Sequence, residues 1–212
     1  MPVQSVFATP IYADMVDNLE KIQDEIGSAV EQINFDYREE WGTTHYLSDP
    51  SFKGNVIADY KMDTFAAEIK KHVRKYIAQT FGPDGEDKIP KNADLVGYTL
   101  LHSWIALFKK GNYGHIHSHG EADIAGVYYH KKSDDASGLF FNTPVTGLEN
   151  SIIFQHWASR CDSTAPEGSI TLFPGFLKHG IQTHQGTTDR ISLSFNIYFD
   201  KEALFKSGEI FL

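Results

Sequence analysis

The chain has 212 residues, of which 41% are hydrophobic and 13% aromatic, a composition typical of a globular protein and not of a disordered one. The formal net charge of -9 argues against a nucleic-acid backbone or an anionic membrane as the main partner, because either would need a basic surface. Cys161 is the only cysteine, which excludes an intramolecular disulfide and favours a reducing, cytoplasmic location. We expect neither a secretory leader nor a membrane-spanning segment.

Two amphipathic helices are predicted in the first part of the chain. From Asp14 to Ile33, apolar residues recur at helical spacing with acidic residues between them. A second helical pattern covers residues 62–81 and ends at Gly82-Pro83. His72 lies beside lysines in this second pattern, and we interpret it as a solvated surface histidine.

Near Leu95 the pattern of apolar and polar residues changes to short apolar or alternating runs, which predict strands. These runs are LVGYTLLHSWIALF, ADIAGVYYH, GLFFN, SIIFQHW, GSITLFP and ISLSFNIYF. Helices followed by strands predict an α+β fold, in which N-terminal helices brace one side of an antiparallel sandwich or barrel. We expect one domain over residues 1–212, with mainly helical support in 1–94 and the β core in 95–212, because the helices need the sheet to cover their apolar faces.

A run of alternating histidines lies among the predicted strands, in NYGHIHSHGEADIAGVYY. On a β-strand the four alternate side chains would share one face: these are His115, His117, His119 and Glu121. Imidazole and carboxylate groups suit divalent iron, zinc, copper or manganese. The pattern therefore predicts a metal site, with a solvent-facing histidine loop as the alternative.

A second polar set lies in GSITLFPGFLKHGIQTHQGTTDRISLSFNIYF, near the end of the chain. His179 follows a turn after Pro174, and Arg190 begins another strand, with Ser192 at the next inward position. An arginine directed into an apolar environment needs an anionic partner, because an unpaired buried guanidinium is costly. The planar fork of this side chain favours a carboxylate.

These motifs together resemble the iron(II) and 2-oxoglutarate-dependent oxygenases, and more closely a group of them found in bacteria and phages. The motifs that carry the resemblance are VFATPIY, HSHGEADIAGVYY, GSITLFPGFLKH and RISLSFNI. The resemblance runs from Val6 to Tyr198 and implies a double-stranded β-helix, the jelly-roll or cupin-like barrel. It implies a dioxygenase that couples oxidative decarboxylation of 2-oxoglutarate to oxidation of a substrate C–H bond, with hydroxylation as the default outcome.

The resemblance also implies roles for individual residues, with Fe(II) as cofactor and 2-oxoglutarate as cosubstrate. Three of four residues should hold the metal: His117, His119, Glu121 and His179. The wider superfamily favours the set with Glu121, whereas the nearer group favours the three histidines. Arg190 and Ser192, together with Tyr129, should hold the far carboxylate of the cosubstrate.

The sequence patterns give less specific roles to the other polar residues. Asn142 and Trp157 are candidates for the substrate mouth, Asp123 is a less favoured carboxylate, and His115 is read as a neighbour of the site or a surface residue. Four histidines are assigned to structure or surface: His102, His130, His156 and His184.

Two other functions remain open at this stage. A cupin-type metalloenzyme without 2-oxoglutarate fits the spacing of Gly111, His117-x-His119 and Asp123, and Arg190-x-Ser192 argues against it. A non-catalytic β-sandwich for binding or structure would make the histidines incidental. The substrate is expected to be a small molecule or a protein side chain, and a homodimer is left open.

Overall fold

The structure is a computed structural model that describes residues 8–37, 44–49, 51, 53–81, 98–135, 137–145, 147, 152 and 160–199. Within these ranges the helices are α1 (Leu19–Gln32), α2 (Val56–Asp59) and α3 (Asp63–Phe81). The strands are β1 (Tyr12–Met15), β2 (Tyr46–Leu47), β3 (Tyr98–Phe108), β4 (Gly114–His117), β5 (Ile124–Lys131), β6 (Leu139–Asn142), β7 (Arg160–Asp162), β8 (Ser169–Pro174), β9 (His179–Ile181) and β10 (Arg190–Phe199).

The strands form two antiparallel sheets. The larger sheet has the order β1-β8-β5-β10-β3-β2, and the smaller sheet has the order β4-β9-β6-β7. Strand β10 pairs with β3 on one side and β5 on the other, so it lies in the interior of the larger sheet. Strand β9 lies between β4 and β6 in the smaller sheet. Helices in the N-terminal part and antiparallel strands after it confirm the predicted α+β class.

The residues of β10 alternate between two environments, as expected of a strand with both faces covered. On one face, Leu193, Phe195 and Ile197 are fully buried in the cluster that contains the apolar residues of α1 and α3. Burying each such side chain contributes roughly 1.5–3 kcal/mol of transfer free energy. The other face carries polar side chains, namely Arg190, Ser192, Ser194 and Asn196. The helices therefore cover one face of the larger sheet and leave the polar face for the interior of the barrel.

The first predicted helix begins later than the sequence indicates. Residues Tyr12–Met15, part of which had been included in that helix, form strand β1 and pair with β8. Helix α1 begins only at Leu19 and buries Ile22 and Ile26. Tertiary pairing with β8 overrides the helical periodicity here, because residues near the end of an amphipathic pattern can satisfy either element.

The interpretation of His72 as a surface histidine is wrong. Its side chain is fully buried in α3, seven positions after Phe65 and therefore on the same helical face. Its Nε2–H donates to Glu68 Oε2 at 3.2 Å, and its Nδ1 lies 2.7 Å from the hydroxyl of Tyr12 in β1. Burial lowers the pKa of His72. The histidine thus joins α3 to the edge of the larger sheet.

Glu68 supplies a test of this buried network. Burial opposes its ionisation, but hydrogen bonds from the Asp17 N–H at 3.0 Å and from Lys71 at 3.2 Å hold the pKa of Glu68 below its ordinary value of 4.5. The ionised carboxylate therefore stabilises the fold above pH 4.5, and this contribution is lost as the pH falls further. We expect Glu68→Gln to lower the free energy of unfolding by about 1–3 kcal/mol at neutral pH. Urea unfolding at several pH values checks this, and a difference that persists unchanged well below pH 4.5 contradicts it.

The remaining predicted elements fall close to their predicted positions where the structure describes them. The second helix and five of the six predicted strands are confirmed within a few residues. The predicted strand SIIFQHW lies outside the described residues except for Ile152, which is in an exposed turn. Strands β1 and β2 belong to the part predicted as helical support, and the single-domain organisation stays a prediction. No described helix has an apolar stretch long enough to cross a membrane.

Candidate metal centre

The two sheets enclose a cavity of about 400 Å³. The larger sheet contributes Trp104 and Phe108 from β3, and the smaller sheet contributes Leu139 and Ile181. Strand β10 contributes Ser192, Ser194 and Asn196. Three histidines that follow or belong to strands of the smaller sheet line the same cavity: His117, His119 and His179.

These three histidines bring their ring nitrogens together. Residues His117 and His179 are cross-strand partners in β4 and β9, with ring centroids 4.5 Å apart. Residue His119 lies just after β4, and its Nε2 is 3.1 Å from Nε2 of His179. One nitrogen from each ring lies within 4.8 Å of the others. Neighbouring nitrogen ligands of one ion, bound at about 2.1 Å, are roughly 3 Å apart, so the arrangement suits a single metal ion.

Backbone carbonyls orient two of the rings. The Nδ1–H of His179 donates to the Leu177 carbonyl at 2.8 Å, and the Nδ1–H of His117 donates to the His115 carbonyl at 2.7 Å. A carbonyl can only accept, so these bonds place the proton on Nδ1 and leave Nε2 with its lone pair. Such bonds fix the tautomer and orientation of histidines that bind metals.

The surroundings also keep two of the rings neutral. Burial, with smaller contributions from the neighbouring histidines, lowers the pKa of His119 to about 3. Burial and His117 lower the pKa of His179 to about 4, although the Leu177 carbonyl acts in the opposite direction. Neutral imidazole is the form that binds a metal. The indole ring of Trp104 lies 5.6 Å from the His119 ring in a stacked arrangement and holds it in place.

The acidic residues near the histidines have other positions. Glu121 lies in an exposed turn and does not belong to the group of converging ligand atoms among the described residues. Asp123 accepts a hydrogen bond from the Phe199 N–H at 2.8 Å, so its carboxylate joins two backbone segments. His115 is exposed and lies beside Tyr113, with ring centroids 5.1 Å apart. The described structure therefore brings together the three-histidine set and not the set that contains Glu121.

Gly175 holds the segment that carries His119. Its carbonyl accepts the His119 N–H at 2.9 Å, and a Cβ on Gly175 would lie 2.0 Å from the Ala122 carbonyl oxygen. We expect Gly175→Ala to displace this turn, to destabilise the fold by about 1–3 kcal/mol and to weaken metal binding. The control is Gly27→Ala in α1, where the added methyl meets nothing closer than 3.9 Å. Metal titration of both variants checks this, and equal metal affinities contradict it.

Arg190 is the first residue of β10. It is the largest of the fully buried side chains among the described residues, with 1% of its surface exposed. Neither Nη1 nor Nη2 has a hydrogen-bond partner among the described residues. Its Cζ lies 5.2 Å from the ring of Phe108 and 5.8 Å from that of Tyr129. Burial lowers the pKa of Arg190, against the influence of Tyr129 and Asp135. A guanidinium with two unpartnered donors is costly to bury and fits a carboxylate that accepts from both.

The two residues predicted to assist Arg190 lie next to it. Ser192 is buried, lines the cavity and pairs with Tyr129 of β5 across the sheet. The Tyr129 hydroxyl lies 3.3 Å from Oγ of Ser163. The structure thus brings together the three residues expected to bind a carboxylate.

The candidates for the substrate mouth are less informative. Asn142 is half-buried at the end of β6, and its N–H donates to the Lys178 carbonyl at 2.8 Å. It does not line the cavity. Trp157 and His156 lie outside the described residues. His184 is buried, and its Nε2–H donates to the Thr188 carbonyl at 2.8 Å, which supports its assignment to structure.

Four cavity residues were not recognised from the sequence. Both Trp104 and His45 lie outside the histidine run, on other segments of the chain. His45 stacks on Phe108 with ring centroids 4.4 Å apart. Ser194 and Asn196 continue the alternation that begins at Arg190, so the strand period gives a signal for them. No comparable signal exists for His45 or Trp104.

Comparison with known protein families finds a match in the second half of the chain. Residues 102–196 match the family model described as "Putative 2OG-Fe(II) oxygenase". No curated protein matches the chain in sequence.

Similar folds are found among solved structures. HygX from Streptomyces hygroscopicus, solved with nickel, 2-oxoglutarate and hygromycin B bound, has 12% identity and a TM-score of 0.55, over 89% of this chain and 82% of its own. A Pseudomonas putida prolyl-4-hydroxylase has 11% identity and a TM-score of 0.51, over 89% of this chain and 92% of its own. The epimerase SnoN, from nogalamycin biosynthesis, has 9% identity and a TM-score of 0.54, over 90% of this chain and 78% of its own. These likenesses confirm the predicted double-stranded β-helix.

Proposed function

We propose that this chain, which residues 102–196 identify as a 2OG-Fe(II) oxygenase, hydroxylates its substrate at an iron centre held by His117, His119 and His179. It depends on Fe(II) and 2-oxoglutarate, as its family does. The observation that carries the residue assignments has two parts. One cavity is lined by Ser192 and by three histidines whose ring nitrogens converge, and the buried Arg190, whose Nη atoms have no partner among the described residues, lies two positions before Ser192 on β10.

The three histidines fit iron by their chemistry. Neutral imidazole is a suitable ligand for iron, and the pKa values of His119 and His179 are lowered to about 3 and 4, so both rings are neutral near pH 7. The carbonyls of Leu177 and His115 hold Nδ1–H and leave Nε2 for the metal. The role of these residues is to fix the ion at one end of the cavity.

Arg190, Ser192 and Tyr129 fit the far carboxylate of 2-oxoglutarate. The two unpartnered nitrogens of Arg190 can donate in parallel to one carboxylate. The hydroxyls of Ser192 and Tyr129, which are cross-strand neighbours, would donate to the same carboxylate once Tyr129 leaves Ser163. Binding of the carboxylate also removes the cost of the uncompensated buried charge. The charge of Arg190 would therefore increase both the affinity for 2-oxoglutarate and the preference for a cosubstrate with a second carboxylate.

When bound, iron and 2-oxoglutarate supply the oxidising chemistry, in which dioxygen is consumed and 2-oxoglutarate is converted to succinate and carbon dioxide. The chain contributes orientation and exclusion of water. Val127, Leu139 and Ile181 form apolar walls of the cavity, and Trp104 packs on His119. The walls limit side reactions with solvent.

A cupin-type enzyme without 2-oxoglutarate is the second candidate. The absence of a carboxylate from the three-histidine group, among the described residues, is compatible with it. The buried guanidinium of Arg190 has no role in that function, and the family match favours the oxygenase.

The substrate is proposed to be a small molecule or a protein side chain. Two proteins of similar fold illustrate these two kinds. HygX was solved with the small molecule hygromycin B bound, and the name of the prolyl-4-hydroxylase refers to a proline residue. The single, exposed Cys161 is compatible with a reducing compartment such as the cytoplasm. A homodimer and the lack of nucleic-acid binding stay predictions from the sequence.

Turnover of 2-oxoglutarate tests the proposed function. We expect the iron-loaded protein to release carbon dioxide from the 1-position of labelled 2-oxoglutarate in the presence of oxygen, with formation of an equal amount of succinate. The protein without iron and the Arg190→Ala variant are the controls. Release no greater than in these controls contradicts the proposal.

A further inference from the structure

The side-chain oxygen of Asn196 is a buried polar atom of the cavity that, like the Nη atoms of Arg190, has no hydrogen-bond partner among the described residues. The residue lines the cavity, and 7% of its surface is exposed. Asn196 follows Arg190 by six positions on the same face of β10, so the two lie about 20 Å apart along the strand.

The position of Asn196 corresponds to the histidine end of the cavity. The neighbouring Ile197 carbonyl accepts the Asp123 N–H at 3.0 Å, and the Asp123 carbonyl accepts the Gly175 N–H at 3.3 Å. Gly175 in turn accepts the His119 N–H. Three successive backbone hydrogen bonds therefore connect the strand segment beside Asn196 to the segment that carries His119.

The two ends of β10 have opposite hydrogen-bonding requirements. The unpartnered atoms of Arg190 are donors, and the unpartnered atom of Asn196 is an acceptor. Both carboxylates and the keto oxygen of 2-oxoglutarate only accept hydrogen bonds, so this cosubstrate can satisfy Arg190 and cannot satisfy Oδ1 of Asn196. A buried acceptor left without a donor is costly. The acceptor therefore suits a different ligand, one that carries a donor.

The charge of the cavity restricts that ligand further. Among the described residues that line the cavity, none carries a carboxylate, so a buried ammonium group would have no counter-charge. Trp104 and Val127, the cross-strand neighbours of Ser194, present apolar surface in the same cavity. His102, the cross-strand partner of Asn196, has a buried Nδ1 that also lacks a partner in the described part of the chain. A second hydrogen-bonding atom is thus available next to the first.

We propose that Asn196 binds the primary substrate, and that this substrate presents a neutral hydrogen-bond donor, a hydroxyl or an amide N–H, at the metal end of the cavity. The inference rests on the proposed function, because it assigns Asn196 to the substrate and Arg190 to the cosubstrate.

Two small amides of similar shape test the proposal. N-methylacetamide carries an N–H donor, and N,N-dimethylacetamide does not. The protein is loaded with Mn(II), a paramagnetic ion, and saturated with 2-oxoglutarate, and the relaxation of the amide methyl protons near the ion is measured by NMR. We expect N-methylacetamide to bind about three- to tenfold more tightly than N,N-dimethylacetamide. Asn196→Leu, which keeps the branching at Cγ but has no hydrogen-bonding atom, should remove this preference, and Ser194→Ala on the same strand face should retain it.

Calorimetric titration with Mn(II) and then with 2-oxoglutarate distinguishes a failure of the proposed function from a failure of the role given to Asn196. If the wild-type protein does not bind them, the proposed function fails and the assignment of Asn196 fails with it. If they bind but the two amides bind equally, or the preference persists in Asn196→Leu, only the inference about Asn196 is overturned. A variant that binds Mn(II) and 2-oxoglutarate normally is folded. Loss of 2-oxoglutarate binding in both Asn196→Leu and Asn196→Ser would assign the residue to the cosubstrate and overturn the inference.

Discussion

His179→Ala should lower the affinity for iron(II) by at least about 100-fold, because loss of a metal ligand should exceed the 10–100-fold effect of losing a residue that only orients one. His117→Ala and His119→Ala should weaken iron binding in the same way, since one nitrogen from each of the three rings lies within 4.8 Å of the others. Iron titration under anaerobic conditions measures the effect, and thermal unfolding of the metal-free variants shows whether they remain folded.

The matched control is Glu121→Ala, two positions after His119 in an exposed turn. We expect this variant to bind iron as the wild-type protein does. Loss of iron in Glu121→Ala with retention in His117→Ala would show that the metal is held by His119, Glu121 and His179, the other set that the sequence allows.

Arg190→Met is expected to have two opposite effects. Affinity for 2-oxoglutarate should fall by about 30-fold or more, because two charge-assisted hydrogen bonds to the carboxylate are lost. The protein without 2-oxoglutarate should become more stable by about 1–4 kcal/mol, because an apolar side chain replaces a fully buried guanidinium whose Nη atoms have no described partner. Iron affinity should not change.

Chemical unfolding with and without 2-oxoglutarate measures both effects in one experiment. The wild-type protein should gain stability as the cosubstrate concentration rises, and Arg190→Met should not. Arg190→Lys serves as a control that keeps the charge and loses the planar fork, and an intermediate affinity is expected. An Arg190→Met protein that is less stable without 2-oxoglutarate, or that binds it normally, contradicts the role given to this arginine.

Much of the barrel could be predicted because the period of the strands is visible in the sequence. Strand β10 alternates apolar and polar residues from Arg190 to Ile197, and this alternation gives the strand, its two faces and the inward direction of Arg190. His179 was found for a related reason, since a turn after Pro174 delivers it to the start of β9. Local patterns of this kind depend on neighbouring residues only, and the sequence contains them in full.

Other features depend on contacts between distant segments. The choice between Glu121 and His117 cannot be made from alternation, because β4 ends at His117 and the chain turns before Glu121. The pairing of β1 with β8 changes the start of the first helix. His72 and its partner Tyr12 are 60 positions apart. Trp104 and His119 lie on different segments that come together only in the folded barrel. None of these contacts has a local signal.

Joint binding of iron(II) and 2-oxoglutarate in one cavity is tested by an anaerobic titration of the purified protein with iron(II) and then with 2-oxoglutarate, followed by visible spectroscopy. We expect a weak charge-transfer band that appears only when both are present, and that requires a higher cosubstrate concentration in Arg190→Met. Iron binding without the band would contradict the oxygenase assignment and favour a cupin-type enzyme. Absence of iron binding would contradict the metal centre itself.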